Sequence, residues 1–110
     1  MTIAATAWAF TTTCPQGPLE RLLLILMADD TDEFGVCITH PEHLARQAVV
    51  PRGDVDFVLE RMVERGILLP LRVPAAIDGD LRRFSFFLMR GWEEREATGS
   101  HPILGALVLA

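Results

Sequence analysis

The sequence predicts an α+β domain of three helices, one small strand and a β-hairpin. Three observations predict it. Apolar residues recur at helical spacing in two stretches, Leu19 to Met27 and Val55 to Val63. The period falls to two after Gly66, and an Asp78-Gly79 turn signal separates two alternating runs.

Residues 1–13 are small, apolar and Thr-rich, and an extended reading would put Trp8 and Phe10 on one side. Cys14-Pro15-Gln16-Gly17-Pro18 breaks the chain, and Pro18 opens a helix because its missing N–H would be unpaired there anyway. Leu19, Leu22, Leu23, Leu26 and Met27 form the inner stripe of that first helix, with Leu24 and Ile25 widening it. It stops in the polar turn Asp29 to Glu33, and Phe34 to Ile38 reads as a short strand.

Thr39 and Glu42 have capping-box spacing, so the second helix is expected from about residue 40, with Leu44, Ala45 and Ala48 inward. The third helix carries Val55, Val58, Leu59, Met62 and Val63 inside and Glu60, Arg61, Glu64 and Arg65 outside, with Gly66 to end it. Beyond it Leu69, Leu71 and Val73 alternate with Pro70 and Arg72, and Phe84, Phe86 and Leu88 with Arg83, Ser85 and Phe87. This is a hairpin over residues 67–89, and Pro70 confines its first strand to an edge or open side. The division expected is 1–17 as an N-terminal extension, 18–90 as the domain and 91–110 as a C-terminal tail.

A chain of 110 residues is long enough for one core. Its net charge is −5, unevenly spread: residues 40–90 hold eight Arg against seven acids, and the remaining carboxylates sit at the ends. The absence of Lys excludes phosphate-loop ATPase and Schiff-base chemistry. No apolar run reaches the roughly 18 residues of a membrane span, and Met1 to Phe10 lacks a basic leader, so a cytoplasmic protein is expected. Cys14 and Cys37 are too few for a disulfide framework and are expected as separate thiols.

The order helix, strand, helix, helix, hairpin is that of a winged helix-turn-helix. Within it, Leu22 to Leu68 resembles the DNA-binding domains of phage and plasmid replication initiators and related bacterial regulators. Met27-Ala28-Asp29-Asp30 and the Gly35 turn are similar to that family's L-A-D ending and acidic turn, and Leu44-Ala45 to its L-A pair. Val55, Leu59, Met62, Gly66 and Leu68 match its recognition helix and exit. The chain departs from the family where a small residue is usual, at Val49, and where Ser and Thr are common, at Pro51 and Asp54.

The resemblance implies binding to double-stranded DNA, in transcription regulation or replication initiation, with the second helix of the pair in the major groove and the wing on the backbone. The candidate contacts are Arg46, Gln47, Arg52 and Arg61 on the helices and Arg82 and Arg83 after the wing turn, since the forked guanidinium suits phosphate and guanine alike. Readers of this type often pair, which points to a homodimer. The apolar tail 102–110, with Trp8, Phe10 and Trp92, would then complete the core or form the dimer patch.

A second reading comes from charge. Asp54 and Asp56 repel phosphate, which suits a protein–protein interaction module, an inhibitor or assembly factor, with an acidic recognition helix. Cys37, His40 and His43 invite zinc but lack a fourth ligand nearby, and the Asp30-Thr31-Asp32 turn lacks the bidentate Glu of a calcium loop. Ser85 and Ser100 sit in no nucleophile elbow. No enzyme, cofactor or metal is expected.

Overall fold

The structure, a computed structural model, describes residues 3–73, 84–89, 100–102, 104–106 and 108. It is a mixed α+β fold. In chain order come α1 (Ile3–Thr11), α2 (Pro18–Asp29), β1 (Val36–Thr39), α3 (Pro41–Ala48) and α4 (Arg52–Glu64). The strands β2 (Leu68–Pro70), β3 (Ser85–Met89), β4 (Ser100–His101) and β5 (Gly105–Ala106) follow. No helix among the described residues is long and apolar enough to cross a membrane.

The N-terminal segment, without a helix in the sequence reading, is helical. Four alanines favour the helix, and two of them, Ala5 and Ala9, are one turn apart and fully buried where α1 packs on α2. Small side chains let the two helices approach closely. The end of α1 is tied down as well: an Arg21 Nη1 donates to the Ala9 carbonyl at 2.9 Å, satisfying one of the carbonyls a helix terminus leaves unpaired. The Trp8–Phe10 alternation therefore places neither ring deep inside. Trp8 is half-buried and Phe10 exposed.

Helix α2 touches α1, α3, α4 and β1, so its burial is not one stripe. Leu23, Leu24, Met27 and Ala28 are enclosed, whereas Leu22, expected inside, is partly exposed. The cap of α3 also differs from expectation. Pro41 has no N–H and fixes the helix start, so the residue before it becomes the cap. The His40 Nδ1 accepts from the Glu42 N–H at 3.3 Å. Thr39 stays in β1, opposite Ser85, and its buried hydroxyl has no hydrogen-bond partner among the described residues.

Helices α3 and α4 end in the same way. Val50 N–H bonds to Ala45 O and Val49 N–H to Arg46 O; Ile67 N–H bonds to Met62 O and Gly66 N–H to Val63 O. Both are Schellman closures, which require a left-handed residue. Gly66 supplies it at φ 72°, and Val49 at φ 58°.

The main sheet is antiparallel with order β1-β3-β2. Pro70 lies on the edge strand β2, as its missing donor requires. The alternating strands are buried on both faces. Phe86 and Leu71 are enclosed on one side; Phe87, Met89, Cys37 and Leu68 are enclosed on the other. That explains why β3 reads Phe-Phe-Leu-Met without a polar break.

The described part of the tail returns to the domain. Leu104 and His101 are buried, and Arg72 N–H bonds to Val108 O at 2.9 Å. Both end segments, set apart from the domain in the sequence, thus contribute residues to one core.

Candidate functional site

The corner between α3 and α4 is three residues long, Val49 to Pro51. Around it lies an open depression of about 600 Å³, flanked by Glu42 and Arg46 from α3 and Arg52 from α4. Gln47 is exposed beside Arg46 on the last turn of α3. Three of the sequence candidates, Arg46, Gln47 and Arg52, are therefore gathered near one corner by a tight turn between two helices. Pro51 is the N-cap of α4 and brings no side-chain acceptor to the first amides of that helix.

Arg52 is engaged within the chain. Its Nε reaches Asp56 Oδ1 at 3.0 Å, and its Nη1 stands 3.7 Å from Glu42 Oε1. All three side chains are about half exposed, so these pairs are weakly held and exchangeable for another anion.

The rest of the outer face of α4 is acidic. Asp54, Asp56, Glu60 and Glu64 face solvent against Arg52 and Arg61. Arg61 lies on the other flank from Arg52: with Phe57 and Val58 it borders a smaller groove of about 230 Å³ against Pro18 and Leu19 at the start of α2. Its guanidinium carbon sits 5.8 Å from the Phe57 ring centroid, and Phe57 is 60% exposed. The sequence reading passed over Phe57. A signal was there, because inward positions 55, 58, 59 and 62 leave 57 pointing outward on a 3.6-residue helix. Arg82 and Arg83, with the wing turn, lie outside the described residues.

Other polar clusters among the described residues tie separate elements together. Arg65 donates to Glu20 Oε1 at 2.6 Å and to the Cys14 carbonyl at 3.0 Å, while Glu20 Oε2 accepts from Gln16 N–H. Asp32 Oδ1 accepts from the N–H groups of Phe34 and Val36, shaping the turn into β1. Its other oxygen meets His101 Nε2 at 2.5 Å. Since His101 Nδ1 accepts from Leu104 N–H, the proton belongs on Nε2 and is donated to Asp32.

Burial pushes the Cys37 thiol up in pKa, and the Asp30 charge adds to the effect, so the sulfur is held as a neutral thiol. Asp30 is itself shifted upward, first by burial and then by its neighbour Asp29, with His43 opposing. A neutral buried thiol is a poor metal ligand or nucleophile. Both cysteines are unbridged, Cys14 half-buried in its loop and Cys37 in the core.

No family model, no curated protein and no solved structure matches this chain.

Proposed function

We propose that the chain is a winged helix-turn-helix module that binds double-stranded DNA, acting in transcription regulation or replication initiation in the cytoplasm. The observation that carries the reading is topological. A helix, β1, a tightly turned helix pair and an antiparallel β2–β3 pair follow in order, with β3 between β1 and β2. In such an arrangement the second helix of the pair leads with its N-terminus and the segment joining β2 to β3 is the wing. Arg46, Gln47 and Arg52 are then the helical contacts, and Arg82 and Arg83 the wing contacts. A phosphate offers Arg52 more than a half-exposed carboxylate does, because it exchanges one anion for another and releases counterions.

A specific observation favours a second reading. Four carboxylates on the outer face of α4 outnumber its two arginines, which suits a protein partner more than a polyanion.

A gel-shift titration on unrelated duplexes at low ionic strength tests the first reading. The wild type should shift the duplex, and Arg46→Ala with Arg52→Ala should weaken binding and flatten the log–log salt dependence by about one unit per lost phosphate contact. Asp56→Ser, which frees Arg52, should strengthen it. Absence of a shift for both wild type and Asp56→Ser would end the DNA reading in favour of a protein partner.

A further inference from the structure

Asp54, Phe57 and Arg61 are three and four residues apart, so they form one continuous stripe along α4. The stripe reads negative, aromatic, positive. The Asp54 carboxylate makes no hydrogen bond or ion pair among the described residues, and the Arg61 guanidinium lies over the Phe57 ring. Beside the stripe runs the groove with Pro18, Leu19 and Val58 in its wall. A charged pair left unmatched on either side of an exposed ring, next to an apolar groove, is an unpartnered helix face.

We infer that this face is an interface between two copies of the chain, α4 packed antiparallel on α4 about Phe57. The argument is charge complementarity under a two-fold axis. With Phe57 against the partner's Phe57, Asp54 of each copy comes opposite Arg61 of the other, because the residues stand three before and four after the centre. The one-residue mismatch is a rise of about 1.5 Å, well within the reach of an arginine side chain. Each interface thus holds two Asp54–Arg61 pairs flanking an aromatic contact, while each groove receives the edge of the opposing helix. Asp56 is held towards α3 by Arg52, on the other side of α4. This inference does not depend on the DNA reading and competes with it for α4: a helix paired about Phe57 enters a groove only after the two copies part, and Arg61 is withdrawn from the DNA contacts.

The test is light scattering on chromatographed protein without DNA, from micromolar to millimolar chain, with circular dichroism to confirm that each variant is folded. The wild type should move from 12.2 kDa towards twice that mass as concentration rises. Arg61→Asp alone and Asp54→Arg alone should each self-associate at least about tenfold more weakly, because both place like charges opposite each other. An equimolar mixture of the two variants should recover the double mass as a mixed dimer, since the charges match again only between unlike copies. A purely structural role for either residue would not produce that recovery. A wild type that stays at the single-chain mass throughout overturns the inference, and duplex binding weakened by Phe57→Ala would then assign the face to DNA. Single variants that associate as well as the wild type, or a mixture that does not pair, overturn it equally.

Discussion

The two ends of α4 are built to different standards. At its exit, Gly66 takes the left-handed position without strain, Ile67 is buried, and Arg65 is bound to Glu20 and to the Cys14 carbonyl. At its entry, a β-branched Val49 holds the left-handed position, 87% exposed, and Arg52 makes pairs that solvent reaches. The same two devices, a left-handed cap and an arginine–carboxylate pair, thus appear at both ends. Burial and a missing Cβ make them stabilising at the exit. Exposure and a strained Val make them cheap to rearrange at the entry. The exit fixes α4 to α2; the entry is held only by pairs that solvent reaches. Under the proposed function, stability and binding are separated along a single helix.

The comparison breaks most sharply at Glu20. Glu20→Ala leaves the Arg65 guanidinium largely buried without its carboxylate and also removes the acceptor for Gln16 N–H, so it should cost about 3 kcal/mol by chemical denaturation. A loss no larger than that of an exposed pair would show the exit to be no firmer than the entry. Val49→Gly sharpens the contrast in the opposite direction. It relieves the left-handed strain where little packing is lost, and should raise stability by about 1 kcal/mol in the same assay. An unchanged or lower midpoint would mean that Val49 is not strained. The smallest effect belongs to Arg52→Ala, expected within about 0.5 kcal/mol of wild type, because exposed ion pairs contribute little. That variant's defect should appear in duplex titration and not in unfolding.

Much of this was legible in the residues. The inward stripe of α4, its Gly66 stop and the change to period two gave a helix, its end and a strand where the structure has them. Pro70 announced an edge. The misreadings share a cause, which is competition between neighbouring signals. Thr39 and Glu42 have capping spacing, but Pro41 moved the start of α3 by one residue and handed the cap to His40. Trp8 and Phe10 alternate, but Ala5 and Ala9 decided the segment, because small residues can bury against a helix and a locally apolar sequence does not say which residues will. Phe57 was visible to helical geometry and was overlooked. Nothing local marks Glu20 and Arg65, separated by 45 positions, as partners.

By itself the sequence determined the elements from α2 to β3 and their order, since period, helix stops and turn residues act within a few positions along the chain. It also determined the acidic balance and the absence of lysine. The tertiary structure alone decided that the sheet is covered on both faces, that α1 and the described part of the tail complete the core, and which arginines are committed. Arg52 opens α4 and Arg65 caps its C-terminal end, the same residue type at either end of one helix, and composition does not distinguish them. Their difference lies in the desolvation of the carboxylates they meet, and desolvation is a property of everything packed around a pair, which a linear pattern does not carry.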